Sequence, residues 1–106
     1  MPTNADAIET LRAARDVVET ALDKATAERE RQDLRIRHDD IADEIRALHR
    51  LRLEALTVPY APITAHIAQS VQRLDRLKKR LVLLNKGART VDQVLGVVAR
   101  LMVLAA

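Results

Sequence analysis

The chain contains no cysteine, phenylalanine or tryptophan, and only one tyrosine, two glycines and three prolines in 106 residues. Each absence excludes something. Without cysteine there is no disulfide framework, thiolate metal site or sulfur nucleophile. With Tyr60 the sole aromatic, the core has to be built from Leu, Val, Ile and Ala, which suits helix seams and suits a β-sandwich or a deep ligand pocket poorly. No aromatic platform is available for stacking single-stranded nucleic acid. So little glycine and proline leaves few turns, and therefore few, long elements. The segment MPTNADAIE has no basic stretch followed by an apolar run, so a secretory signal is not expected. Taken together, these absences fit a cytoplasmic protein or a component of an intracellular assembly.

What is present reads as helix. Apolar residues make up 48% of the chain. A run free of proline and glycine extends from Thr3 to Val58, rich in Ala, Leu, Arg, Glu and Asp, and stops at Pro59-Tyr60-Ala61-Pro62. It predicts one helix over about 4–57, with Thr3 or Asn4 as cap and Asp6 and Glu9 at its positive end. Such a helix would reach roughly 80 Å at about 1.5 Å per residue, against a radius of gyration of about 13 Å for a compact chain of this size. The expectation is a rod.

Two apolar stripes lie along that run: Ile8, Leu11, Val18, Leu22 and Ala25, then Leu34, Ile41, Ile45, Leu48, Leu51 and Ala55. Between them, residues 28–33 are polar on every side and read as a solvated stretch of continuous helix. Pro59 and Pro62 open a turn. A second helix over about 62–86 carries Ile63, Ile67, Val71, Leu74, Leu77, Leu81 and Leu84, and stops at Asn85-Lys86-Gly87, where Gly87 can take the left-handed conformation. Thr90 with Gln93 makes a capping box for a third helix over about 90–105, apolar nearly all round.

The predicted fold class is all-α: a single elongated domain formed as a long helical hairpin, completed as a coiled-coil or helix-bundle oligomer. Folding back at Tyr60 places Leu48 against Val71, Ile45 against Leu74 and His38 against Leu81. The same register sets the acidic group Asp39, Asp40, Asp43, Glu44 opposite Arg76, Lys78, Lys79, Arg80. The third helix then runs along Val17, Val18, Ala21 and Ala25, or alternatively turns at Gly87 onto the second helix and leaves the N-terminal arm projecting. In either arrangement one chain leaves apolar surface uncovered. Ile8, Leu11, Val18, Leu22, Val94, Val98, Leu101 and Leu104 are therefore the expected interface with a second copy (a homodimer or higher) or with another protein.

Charge is uneven. Residues 1–56 carry ten Lys/Arg and thirteen Asp/Glu; residues 57–106 carry eight Lys/Arg and two Asp. The basic cluster Arg73, Arg76, Lys78, Lys79, Arg80, Lys86, Arg89 either answers the acidic stretch 39–44 or contacts phosphates. His38, His49 and His66 have no metal-ligand spacing, and His38 and His49 lie about 16 Å apart along a helix. No metal or cofactor is expected. Asp39-Asp40 and Asp43-Glu44 could in principle serve acid–base chemistry, but they read as solvated or salt-bridged charge. Tyr60 is read as a staple on a stiff turn rather than as a recognition knob. The third helix, with Asp92 and Arg100, is too short and too charged for a membrane span of about twenty residues.

Leu11-Arg12, followed by Ala27-Glu28-Arg29, resembles the first-helix arginines of the all-α chorismate mutases, which are dimeric helical enzymes. The resemblance covers some twenty residues and implies that Arg12 and Arg29 bind substrate carboxylates. The sequence departs from that pattern where a lysine is expected, since Asp39 and Asp40 occupy the neighbourhood, and in its late turn at 59–62. Residue patterning taken alone points to a non-enzymatic protein–protein interaction or assembly protein acting through aliphatic helix seams. A nucleic-acid-binding helical dimer using the basic second helix is the alternative, and the mutase-like enzyme is a third.

Overall fold

Thr3 caps the first helix, accepting a hydrogen bond from the Asp6 N–H while the Asp6 carboxylate accepts from the Thr3 N–H. This capping box pulls the Asp6 carboxyl below the usual carboxylate range. From that start the computed structural model, which describes residues 1–105, lays out five α-helices. They are α1 (Asn4–Lys24), α2 (Glu28–His49), α3 (Ile67–Arg76), α4 (Lys78–Leu84) and α5 (Val91–Ala105), with a 3-10 turn at Leu53–Thr57.

The predicted continuous helix over 4–57 is not formed. Ala25 and Ala27 take extended backbone, with ψ of 135° and 130°, and the chain reverses there. The radius of gyration is 13.4 Å and the extents are 42 × 25 × 20 Å, so the rod is replaced by a short bundle. Ending a helix at alanines forgoes at most about 0.3 kcal/mol of propagation per residue, whereas enclosing one large aliphatic side chain contributes about 1.5–3 kcal/mol. The reversal encloses Ala7, Leu11, Ala14, Val17, Val18 and Ala21 of α1, so burial outweighs local propensity. A trace of the break was present in the phase. Ala25 and Leu34 lie nine residues apart, about half a turn out of register at 3.6 residues per turn, so one straight helix could not aim both stripes at one partner. Arg31 then closes the end of α1 by donating to the carbonyls of Leu22 (2.6 Å) and Ala25 (3.0 Å).

Neighbouring helices run antiparallel. Glu19 of α1 meets His38 of α2, and Arg12 meets His49. Asp40, Asp33 and Glu30 of α2 meet Ser70, Arg73 and Arg80 in turn along α3 and α4. Leu77, with φ −90° and ψ 2°, puts a kink between α3 and α4. At the far end Arg89, just before α5, reaches Thr20 of α1 at 2.9 Å. With α3 and α4 counted as one kinked rod, this is an up-down-up-down four-helix arrangement. Its core is Leu11, Val17, Val18, Ile41, Leu48, Ile67, Leu74, Leu81, Val94, Val98 and Leu101, each at most 3% exposed.

The pairing of α2 with the following helices is therefore antiparallel, but the predicted register is wrong. Arg80 stands on Glu30 rather than opposite Asp39, and Asp40 meets Ser70. The displacement comes from residues 50–66, which form no tight turn. They make the 3-10 turn, cross the N-terminus and re-enter beside Glu44. Asn4 holds this connection, its N–H on the Val58 carbonyl (2.9 Å) and its side-chain amide on the Ala55 carbonyl (2.8 Å). The Tyr60 N–H closes it on the Pro2 carbonyl. The helix predicted from 62 thus begins at Ile67. The third helix forms as predicted: Gly87 has φ +90°, and Thr90 and Gln93 exchange both capping bonds, at 2.9 and 3.2 Å. It packs on α1 and on α3–α4 at once, so neither predicted alternative holds alone.

Within α5, Gly96 faces open space, with only an Arg100 guanidinium nitrogen (3.9 Å) near where a Cβ would sit. Gly96→Ala is expected to stabilise the fold by about 0.5–1 kcal/mol, since the alanine fits and restricts the unfolded chain. The check is a higher urea midpoint with an unchanged slope.

Candidate functional site

Three places gather side chains with potential for recognition or chemistry. The first surrounds Glu44, which is fully buried on α2 rather than solvated as its sequence neighbourhood suggests. One carboxyl oxygen accepts from the Tyr60 hydroxyl (2.6 Å) and the Ile63 N–H (2.9 Å). The other accepts from the Thr64 N–H and the Thr64 hydroxyl, both at 2.8 Å. Every donor comes from the connection that leads into α3, so Glu44 acts as a fastener for backbone that precedes a helix. Burial, then the hydrogen bond to Glu44 and its charge, push the Tyr60 phenol well above the ordinary tyrosine value. Tyr60 packs on the core, as the staple reading expected.

A raised folded-state value means that the neutral phenol stabilises the fold fully below about pH 10, and that this contribution fades as pH climbs past it. Because Tyr60 is the only tyrosine, near-ultraviolet phenolate absorbance reports it alone. We expect that band to appear together with loss of helicity, well above pH 10. A phenolate forming near pH 10 with helicity intact would contradict the enclosed position.

The second place is the basic cluster, which the structure divides. Arg73 pairs with Asp33 at 2.7 Å and Arg80 with Glu30 at 2.5 Å, while Lys78 lies 3.4 Å from Asp75 across the α3–α4 kink. The hydrogen bond from Arg80 holds the Glu30 carboxyl low and the Arg80 guanidinium high, and the bond to Asp33 holds the Arg73 guanidinium high. Arg89 bonds Thr20 and the buried Asn85. The predicted partners differ: Asp43 pairs with Arg46 and Asp39 lies by His38, so the 39–44 stretch does not answer this cluster. Among the described residues, Arg76, Lys79 and Lys86 make no ion pair.

The third place is the surface where α4 meets α5. Lys79, Val82, Leu83, Lys86, Arg89 and Val91 line a hollow of about 420 Å³. Leu83 is 56%, Val91 54% and Leu95 37% exposed. Three cations and three aliphatic side chains share this lining, and no carboxylate does. Two further hollows, of about 580 and 670 Å³, follow the α1–α5 seam. Their linings mix Asp6, Glu9, Asp16 and Asp92 with Arg89 and Arg100.

The residues expected at an interface lie elsewhere. Leu11, Val18, Val94, Val98, Leu101 and Leu104 are buried inside the chain's own bundle, and Ile8 and Leu22 pack against that core. The expectation failed because the reversal at 25–27 supplies, from one chain, the four helices that two copies were expected to provide. Arg12 and Arg29, brought together by the mutase resemblance, are separated here. Arg12 lies against His49 (3.2 Å) at the far end of α2 from Arg29, about 30 Å along the helix. His66 precedes α3 on the surface. No group of three potential metal ligands occurs among the described residues, and no described helix is long and apolar enough to cross a membrane.

From sequence Glu44 reads only, with Asp43, as solvated or salt-bridged charge, and Lys79, Lys86 and Arg89 only as members of the basic cluster, so neither the fastener nor the α4–α5 hollow was foreseen. The hollow could have been suspected from Lys79, Leu83 and Lys86, spaced four and three apart. For Glu44 only its position between Ile41, Ile45 and Leu48, on the apolar side of α2, was available. No family model matches the chain, and comparison with curated proteins and with solved structures likewise gave no match.

Proposed function

We propose that this chain is a non-enzymatic protein-interaction module whose partner sits on the α4–α5 face. The observation that carries the reading is the contiguous exposed aliphatic surface of Leu83, Val91 and Leu95 around a hollow edged by Lys79, Lys86 and Arg89. Of the other exposed aliphatic residues, Ile36 and Leu53 lie on separate elements, and Val103 lines an α1–α5 hollow beside the carboxylates Asp6 and Glu9. The hollow's lining holds no acid, base and nucleophile set suited to catalysis.

Self-association remains part of the proposal only through this face, because the seams first expected to mediate it lie inside the bundle. A two-fold contact here would bring Lys79 and Lys86 of each copy towards their own counterparts, which opposes a symmetric dimer. Phosphate contact draws less support, since carboxylates already answer Arg73 and Arg80. Leu83→Asp is the test. It lies on the exposed face and is expected to leave helicity and urea stability within about 0.5 kcal/mol of wild type. Quantitative co-purification with wild type and variant, followed by reconstitution of each lost complex from pure components, should yield a binary complex that the variant weakens at least about tenfold. Identical partner sets and affinities for both proteins would refute the site.

A further inference from the structure

We infer that the occupant of the α4–α5 face is an amphipathic helix with acidic flanks, supplied by another protein. This rests on the interaction reading above and adds to it the chemistry of the partner. Val82, Leu83 and Val91 give the hollow an aliphatic lining, with Leu95 exposed one turn beyond Val91, and Lys79, Lys86 and Arg89 supply positive charge without a carboxylate among them. A concave apolar trough takes the ridge of a helix, read as anchors at i, i+4 and i+7. Lys79 stands in the first turn of α4 and Lys86 just past its C-cap, Asn85, and both line the hollow. Acidic side chains flanking a docked helix can meet these ammonium groups while its aliphatic neighbours enter the hollow.

Competing occupants fit less well. Phosphates would leave the aliphatic lining uncovered. An anionic bilayer is broad and favours protruding apolar and aromatic side chains, whereas this face is recessed and without aromatics. A second copy in symmetric contact sets like charges together.

The test is selection from a displayed library of eighteen-residue helical peptides against the intact folded chain. Enriched sequences should carry Leu, Ile, Val or Met at i, i+4 and i+7, with Asp or Glu beside them. Their binding should weaken at least about tenfold in Leu83→Asp and fall with added salt. The Lys79→Glu/Lys86→Glu protein should select basic flanks instead. Circular dichroism of each variant, matching wild type, separates these losses from unfolding.

Peptides without acidic flanks, or binding unchanged by Leu83→Asp, would overturn the inference while leaving a protein-interaction role at another surface open. Concentration-dependent sedimentation abolished by Leu83→Asp would replace the foreign helix with a second copy and keep the interaction reading. Phosphatidylserine vesicles binding wild type but not Leu83→Asp, with no peptide consensus, would overturn both.

Discussion

Glu44→Ala is expected to remove about 3–5 kcal/mol of folding stability, because four neutral donors lose their acceptor at once. The substitution takes the acceptor from the Tyr60 hydroxyl, the Ile63 and Thr64 N–H groups and the Thr64 hydroxyl, all at partly buried positions. Each stranded donor carries a desolvation cost of about 1–3 kcal/mol, reduced by whatever the connection relaxes. Against a total of about 5–15 kcal/mol for a domain of this size, that loss is at least about a fifth of the stability and at the low end all of it. Glu44→Gln retains the volume but turns an amide donor towards donors, so a smaller loss, about 2 kcal/mol, is expected. Urea unfolding followed by circular dichroism measures both, and a loss under about 1 kcal/mol for Glu44→Ala would mean that the connection finds other acceptors.

Leu101→Ala is expected to cost about 3–4 kcal/mol, because Leu101 is 1% exposed and its truncation leaves a cavity among the facing helices. Ala14, Val18, Leu74, Leu81 and Val98 line the same crevice. The dependence on protein concentration matters more than the size of the loss. A residue in one chain's core lowers Tm by the same amount at every concentration. A residue at a dimer seam makes Tm climb with concentration in the wild type, and the variant flattens that climb. A concentration-independent Tm for both proteins is the expected outcome. A wild-type Tm that rises with concentration, with the rise lost in Leu101→Ala, would restore the intermolecular seam predicted from sequence.

The parts of the fold that were legible in sequence are those set by neighbours in the chain. Thr3 with Asp6, Gly87, and Thr90 with Gln93 mark helix ends because their partners lie within three residues, and all three behave as local chemistry requires. The seam residues Ile41, Ile45, Leu48, Leu74 and Leu81 are buried as expected, whereas Leu11, Val18, Val94 and Leu101, read from sequence as an interface between chains, are buried inside one. The misreadings concerned where those stripes turn. Ala25-Thr26-Ala27 holds no breaker, so the reversal left only two traces, the phase slip between Ala25 and Leu34 and the polar stretch 28–33, which reads more readily as continuous helix than as a break.

Glu44 and the α4–α5 face were hidden for related reasons. A carboxyl group on the apolar side of a helix is conspicuous only once its donors are known, and Tyr60, Ile63 and Thr64 reach it by a path that depends on Asn4 holding the connection. Leu83 reads as one more residue of an apolar run until α5 has packed, leaving it on the outside beside Val91.

Sequence alone was enough to determine an all-helical chain, its caps, its aliphatic core and the absence of sulfur chemistry, because composition and short-range hydrogen bonding act before the chain has a shape. Tertiary structure alone decided that the first helix would be two, which carboxylates would answer which arginines, and which aliphatic residues would be left facing outward. Those outcomes depend on burial summed over residues distant in sequence, and each local preference they overrode is worth less than about 1 kcal/mol per residue.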